Sequence, residues 1–123
     1  KQKRSFFSAQ EREEMIAAVY RDEPRVHIVR WDGIIVDLLK KEETPFYVRG
    51  LRNTVDFDYE TADFYASRDF DDSLIALYIP AEQRHLHVSS TLVKNCIAFG
   101  KDCSRYVPQA VAEYIAKRGN SHV

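Results

Sequence analysis

The amino-acid sequence predicts an α/β fold in which a parallel sheet carries helices on both faces. Segments with the apolar spacing of amphipathic helices alternate with short apolar segments rich in β-branched residues. This alternation is typical of parallel strands that are joined by crossover helices. The short segments are also apolar enough to be buried on both faces. With 123 residues, 45% of them hydrophobic, the chain is large enough for one domain with its own core and too small for two ordinary ones.

The first half of the chain predicts two helices and two strands. Ser8 and Glu11 have the spacing of a capping box, and four apolar residues then form a helical stripe: Met15, Ile16, Val19 and Tyr20. The alternating segment RVHIVRW, residues 25–31, predicts the first strand. Gly33 precedes a second helix with an apolar face of Ile34, Ile35, Leu38 and Leu39. The short apolar segment TPFYV, residues 44–48, predicts the second strand.

The second half predicts three helices and one strand. Asn53 or Thr54 caps a helix that continues to about Arg68, and residues 73–79 form a strand that Pro80 ends. The segment SSTLVKNCIAFG predicts a helix that Gly100 terminates. The last helix covers residues 108–117, begins with proline and stops at Gly119.

Composition and charge limit the classes of partner. The net charge is −1 and the pI is about 6.5, so a site for an anion is expected to be local and no nucleic-acid partner is predicted. No apolar run approaches the roughly 20 residues of a membrane span, and the polar N-terminal segment does not have the pattern of a signal peptide. Cys96 and Cys103 match no metal or redox spacing. We therefore expect reduced thiols, no membrane partner and a cytoplasmic location.

The first candidate binding motif is RGLR, which follows the second predicted strand. Arg49 and Arg52 can each form a forked contact with phosphate oxygens. Gly50 between them allows a positive φ or the close approach of a ligand to the backbone. The alternative is that both arginines pair with carboxylates further along the chain, namely Asp56, Asp58 or Glu60. Composition alone leaves both interpretations open.

The second candidate motif lies where the third strand leads into a helix. Ser89, Ser90 and Thr91 stand at the expected helix N-terminus, where unpaired amides and the helix dipole favour phosphate. The alternative is ordinary N-capping by one of these hydroxyls. His85 and His87 precede them, but no third ligand has a spacing that favours a metal site, so we expect histidines exposed to solvent or placed beside a base.

The chain has phosphate-binding motifs but no recognisable acid–base machinery. The basic cluster Lys1, Lys3 and Arg4 is either a frayed terminus or a further attraction for phosphate. No nucleophile elbow, nucleophile–base pair, Walker loop or dinucleotide-binding glycine motif occurs. This combination favours phosphoryl or nucleotidyl transfer, in which positioning and charge stabilisation supply most of the rate.

The chain resembles bacterial phosphopantetheine adenylyltransferases over nearly its whole length, residues 3–117. The matching runs, in order, are KRSFFSAQERE, WDGIIVDLLKKE, YVRGLRNTVDFDYE, SSTLVKN, AFGKDCSRYVP and VAEYIAK. The resemblance implies a Rossmann-like nucleotidyltransferase fold and reversible transfer of an adenylyl group from ATP to 4′-phosphopantetheine. The products are dephospho-coenzyme A and pyrophosphate, the cofactor is Mg²⁺ carried with ATP, and the family typically forms homohexamers.

The resemblance also implies roles for individual residues. It assigns four residues to 4′-phosphopantetheine: Lys3, Ile34, Ile35 and Arg49. It assigns eleven residues to ATP: Gly50, Leu51, Arg52, Glu60, His85, Leu86, His87, Val88, Ser89, Ser90 and Thr91. His85 and His87 stand where family members commonly have an aromatic residue and a phenylalanine.

The family's first strand and its H-x-G-H loop have no counterpart in this sequence. The histidine of that loop stabilises the transferring phosphate, so we expect no catalytic residue among residues 1–123. These residues are then one nucleotidyltransferase domain without the family's N-terminal βα unit, able to bind substrates but slow in turnover. The alternatives are another nucleotidyltransferase of the same superfamily, or a non-catalytic nucleotide-binding module.

Overall fold

Residues 6–121 are described by the structure, a computed structural model. Within this range, seven regular elements follow one another: α1 (Ala9–Val19), α2 (Ile35–Lys41), β1 (Phe46–Leu51), α3 (Thr54–Arg68), β2 (Ile75–Pro80), α4 (Ser90–Ala98) and α5 (Gln109–Ser121). Short 3₁₀ turns occupy Gln83–His85 and Ser104–Tyr106. No helix within this part of the chain is long and apolar enough to cross a membrane.

The elements fall into two compact units. The strand unit, Trp31–His87, contains α2, β1, α3 and β2. The helical unit, residues 6–30 and 88–121, contains α1, α4 and α5.

The strand unit is built on a parallel pair of strands. The register runs from Phe46 opposite Ile75 to Leu51 opposite Pro80, and α3 packs on β1. Val36 and Leu74 are the apolar residues most deeply buried in this unit. The parallel strands and the helices between them confirm the predicted α/β class, and the family relationship below confirms the Rossmann-like fold.

The first predicted strand is wrong. Residues 26–32 contain no strand, although the segment is fully described. Charged and polar side chains interrupt its apolar pattern, and Arg30 turns to α1, where its Nη2 lies 2.7 Å from Glu13 Oε2. Val26 and Val29 remain exposed. An alternating segment becomes a strand only when a neighbouring strand pairs with its backbone.

The helix ends of the helical unit follow local capping chemistry. The capping box at α1 is confirmed, since Glu11 N–H donates to Ser8 Oγ at 3.0 Å and Ser8 N–H donates to Glu11 Oε1 at 2.9 Å. Gly100 has a φ of +69°, and Lys101 N–H donates to the Cys96 carbonyl at 2.7 Å. These features form a Schellman motif, so the predicted stop of α4 at Gly100 is also confirmed.

The predicted stop of the last helix at Gly119 is wrong, because α5 continues to Ser121. Gly119 does not take the positive φ that ends α4 at Gly100. A glycine is compatible with a helix end, but it does not enforce one.

Candidate functional site

The RGLR segment lies at the carboxyl end of β1. Arg49 and Gly50 belong to the strand, and Arg52 is the first residue after it. Because β1 and β2 are parallel, their carboxyl ends lie at the same edge of the sheet. This is the edge at which open α/β sheets bind their ligands.

Arg49 is held by a buried carboxylate. Its Nη2 donates to Glu60 Oε1 at 2.7 Å, and its Nε donates to Glu60 Oε2 at 3.0 Å. Glu60 is 6% exposed, whereas the Arg49 side chain is 46% exposed. These hydrogen bonds raise the pKa of the Arg49 guanidinium. The pair therefore fixes the direction of Arg49 while part of its guanidinium still faces solvent.

Tyr47 completes this cluster. Its hydroxyl donates to Glu60 Oε2 at 3.5 Å, and its ring lies 5.7 Å from the Arg49 guanidinium carbon. Burial is the main reason why the pKa of the Tyr47 phenol is raised. The phenol therefore stays protonated near neutral pH and acts as a hydrogen-bond donor.

A cavity of about 480 Å³ opens beside this cluster within the strand unit. Ile34, Ile35 and Arg49 line it, so the structure brings together three of the residues assigned to 4′-phosphopantetheine. The fourth, Lys3, lies outside the described residues. Glu60, which the resemblance assigned to ATP, lines the same cavity and is paired with Arg49.

Sequence reasoning missed several residues of this cavity. Five of them lie on α3 or just beyond its end: Tyr59, Asp63, Ala66, Ser67 and Phe70. Their spacing of three or four residues places them on the same helical face. Tyr47 also lines the cavity, two residues before Arg49 and therefore on the same side of β1. Helical and strand periodicity, counted from Glu60 and Arg49, would have found them.

Arg52 has a different environment. Its Nε and its backbone N–H both lie 3.0 Å from Asp56 Oδ2, and Asp56 is also the residue whose amide is capped by Asn53 at 2.8 Å. The Arg52 side chain is 39% exposed. The hydrogen bonds from Arg52 hold the pKa of the Asp56 carboxyl below its usual range. Both arginines therefore pair with carboxylates of α3, as the alternative interpretation of RGLR expected.

Gly50 has no unusual backbone conformation. It lacks the positive φ that the sequence interpretation allowed, and a Cβ added there would lie 3.9 Å from the Ile79 carbonyl oxygen, an ordinary contact distance. Neighbouring protein atoms therefore do not require glycine at this position.

Three other residues assigned to ATP end the strand unit. His85, Leu86 and His87 lie in or just after the 3₁₀ turn, and all three are exposed. No group of three or more His, Cys, Asp or Glu side chains within residues 6–121 is arranged to hold a metal ion.

Four more residues assigned to ATP lie at the start of the second segment of the helical unit, residues 88–121. Ser89 is the N-cap of α4, and its Oγ accepts from Leu92 N–H at 3.1 Å. Ordinary capping therefore accounts for Ser89. Ser90 and Thr91 form the first turn of the helix and are exposed, and Val88 precedes the cap.

Comparison with known proteins identifies the family. A family model described as cytidylyltransferase-like matches residues 1–96. The phosphopantetheine adenylyltransferase of Lachnoclostridium phytofermentans is 30% identical over 96% of this chain and 72% of its own length. Its counterpart in Clostridium beijerinckii is 34% identical over 96% of this chain and 74% of its own length. The Coxiella burnetii protein of the same name (strain Dugway 5J108-111) is 35% identical over 89% of this chain and 68% of its own length. The chain belongs to the cytidylyltransferase-like family and, within it, to the phosphopantetheine adenylyltransferases.

Proposed function

We propose that Arg49 and Arg52 bind phosphate groups of two different substrates, 4′-phosphopantetheine and ATP. The family membership makes the chain a nucleotidyltransferase of coenzyme A biosynthesis, which transfers an adenylyl group from ATP to 4′-phosphopantetheine. The products of this transfer are dephospho-coenzyme A and pyrophosphate.

The oriented side chain of Arg49 is the observation that carries the assignment of 4′-phosphopantetheine. Glu60 occupies Nε and Nη2 of Arg49 and leaves Nη1 for a phosphate oxygen. Ile34 and Ile35 on the same cavity provide an apolar wall for the pantetheine arm. The volume of about 480 Å³ is in the usual range of small-molecule sites, roughly 300–1,000 Å³. Lys3 is proposed as a second phosphate contact.

ATP is assigned to the residues that follow Arg49 and to the start of α4. Gly50 and Leu51 end β1. Arg52, the next residue, supplies a guanidinium on a side chain that is 39% exposed. The N-terminus of α4 supplies amides and the hydroxyls of Ser90 and Thr91 for phosphate oxygens. Five residues are proposed as further contacts with the nucleotide: His85, Leu86, His87, Val88 and Ser89. A contact between Glu60 and ATP stays a prediction.

The proposed contacts contribute to the reaction through electrostatic stabilisation. Guanidinium groups and helix amides stabilise the negative charge that develops on phosphate oxygens during nucleotidyl transfer. Mg²⁺ is proposed as the cofactor. The described residues hold no group of three or more metal-ligating side chains, and we propose that Mg²⁺ arrives bound to the phosphates of ATP. We also propose that the chain is a single nucleotidyltransferase domain, that it assembles as a homohexamer and that it is located in the cytoplasm.

Calorimetric titration tests the substrate assignment. We expect ATP to bind more tightly than CTP, and 4′-phosphopantetheine to bind more tightly than pantetheine, which lacks the phosphate. Tighter binding of CTP would favour another nucleotidyltransferase of the superfamily. Equal binding of pantetheine and its phosphate would contradict the role of Arg49.

Release of pyrophosphate tests the reaction itself. On mixing ATP and 4′-phosphopantetheine with the protein, we expect pyrophosphate and dephospho-coenzyme A to appear in equal amounts but slowly, because the histidine loop that stabilises the transferring phosphate has no counterpart in residues 1–123. A protein that binds both substrates and releases neither product would instead be a nucleotide-binding module.

A further inference from the structure

The helical unit contains a second cavity, of about 390 Å³, which we call the helical pocket. Side chains from α1, α4 and α5 form it together with the residues that precede α1. Most of its lining is apolar and includes Phe6, Phe7, Met15, Val93, Val111 and Ile115. Phe7 and Met15 are buried in the unit, 9% and 8% exposed respectively. The pocket therefore has a preformed apolar floor.

Two cations line the same pocket. Arg12 comes from α1 and Lys94 from α4, and both are exposed. Within residues 6–121, neither of them forms a salt bridge with a carboxylate. No acidic residue of the described chain lines the pocket. The lining of the pocket is therefore mostly apolar and carries two positive charges, Arg12 and Lys94.

A neighbouring arginine shows how a cation in this unit is otherwise neutralised. Arg118 of α5 pairs with Glu11, donates to the Phe6 carbonyl at 3.2 Å, and lies 4.7 Å from the centre of the Phe7 ring. Among residues 6–121, Arg12 and Lys94 have no comparable carboxylate. The charge of these two residues thus remains for a ligand.

We propose that the helical pocket binds an amphiphilic anion, a straight-chain carboxylate whose chain lies on the apolar floor and whose head group lies between Arg12 and Lys94. Charge complementarity selects the anionic head, and the apolar lining selects the chain. A ligand rich in amides or ring nitrogens fits poorly, because Ser90 is the only uncharged polar side chain among the described residues of the lining, and most such groups would be buried without hydrogen-bond partners. The volume agrees with a small molecule, for which cavities of roughly 300–1,000 Å³ are usual.

Calorimetric titration with chain-length and head-group analogues tests this proposal. The probes are decanoate, octanoate, acetate and decyltrimethylammonium, each used below its micelle-forming concentration. We expect decanoate to bind, octanoate to bind roughly fifteenfold more weakly because each buried methylene contributes roughly fourfold, and acetate not to bind. Binding of decyltrimethylammonium as tight as that of decanoate would overturn the proposal, since it would show that charge has no role.

Single substitutions locate the binding site. Arg12→Gln and Lys94→Gln are each expected to weaken decanoate about tenfold or more, the scale of a charge-assisted hydrogen bond. Val111→Trp fills the pocket and is expected to abolish binding. Lys101→Gln, which changes an exposed cation of the same unit that does not line the pocket, serves as the matched control. Decanoate binding that survives Val111→Trp, or that is weakened equally by Lys101→Gln, would overturn the proposal.

Sedimentation tests the competing occupant, a second copy of the chain. If no carboxylate binds and a concentration-dependent dimer is lost in Val111→Trp, the pocket is a contact between copies and the proposal is wrong. Under the proposal, decanoate binds and Val111→Trp leaves the oligomeric state unchanged.

Discussion

The two cavities are similar in size and opposite in how they hold positive charge. In the strand unit, Glu60 fixes Arg49 through two hydrogen bonds and is itself 6% exposed. In the helical pocket, Arg12 and Lys94 have no such carboxylate among the described residues. A fixed guanidinium recognises the direction of a phosphate, because its side-chain entropy is lost on folding and not on binding. Cations without such a partner attract an anion without fixing its orientation.

The presence or absence of a buried carboxylate partner also decides whether removing a cation affects stability as well as ligand binding. Removal of Arg49 leaves a buried carboxylate without its partner, so the change affects the fold as well as the ligand. Removal of Arg12 or Lys94 leaves no buried charge behind. Arg52 lies between these cases, since its partner Asp56 is 23% exposed in its side chain.

The largest expected effect concerns substrate binding at the two arginines of RGLR. Arg49→Ala is expected to weaken 4′-phosphopantetheine by roughly 1.5–3 kcal/mol, the range for a hydrogen bond to a charged group, while ATP changes little. Arg52→Ala is expected to weaken ATP about tenfold and leave 4′-phosphopantetheine nearly unchanged. Calorimetry on both variants with both ligands measures this. Equal losses of both ligands in both variants would refute the separate roles.

The second effect concerns the stability of the strand unit. Arg49→Ala is expected to lower the free energy of unfolding by about 1–2 kcal/mol, because Glu60 loses its partner while the exposed half of Arg49 discounts the loss. Urea denaturation measures it. The double variant Arg49→Ala/Glu60→Gln is the control and is expected to recover part of the loss, since no buried charge remains. A double variant less stable than Arg49→Ala would show that the buried carboxylate is not the cause.

Much of the fold was predictable from sequence because its signals are local. The capping box at Ser8 and the glycine stop at Gly100 depend on neighbouring residues, and the structure has both. The strand predicted for residues 25–31 depended on a distant pairing partner, which the alternation of its side chains cannot supply. The helix end predicted at Gly119 was wrong for a related reason, since glycine allows a helix end without requiring one.

The candidate site was also predictable only where its signals are local. A strand end followed by a helix placed Arg49 and Arg52 correctly at the carboxyl edge of the sheet. The sequence left open which carboxylate pairs with each arginine, because Asp56 and Glu60 lie on the same helix and differ mainly in burial. Burial is a property of the packed unit. The cavity residues of α3 were missed because they carry no motif, only a shared helical face.

The third prediction contrasts the buried carboxylate Glu60 with a half-buried one, Glu11, at α1. The hydrogen bond from the Ser8 amide has the largest effect on the Glu11 carboxyl, and the hydrogen bond from Arg118 has the next largest. Both hold the pKa of this carboxyl below its usual value. A carboxyl with a lowered folded-state pKa contributes stability above its unfolded value, and this contribution is lost as the pH falls. We therefore expect wild-type stability to decline below about pH 4, and Glu11→Gln to decline less steeply.

Urea midpoints measured between neutral and acidic pH test this contribution. Glu113→Gln changes an exposed carboxylate of α5 and is expected to follow the wild-type profile. If Glu11→Gln retained the full acid dependence, the capping carboxylate would not be its source.

The smallest expected effect lies at the second contact between α1 and α5, where exposed groups meet without a buried charge. The Tyr114 hydroxyl donates to Glu14 Oε2 at 2.5 Å, and this hydrogen bond raises the pKa of Tyr114 to about 12. The folded state thus favours the neutral phenol, so the contribution to stability is present below the ordinary tyrosine value near 10 and is lost as the pH rises through the folded value. Titration followed by ultraviolet absorbance should show one late-ionising tyrosine that Tyr114→Phe removes, and Glu14→Gln should return it toward the ordinary value. A tyrosine that still ionises late in Glu14→Gln would mean that burial, and not this surface carboxylate, holds the proton.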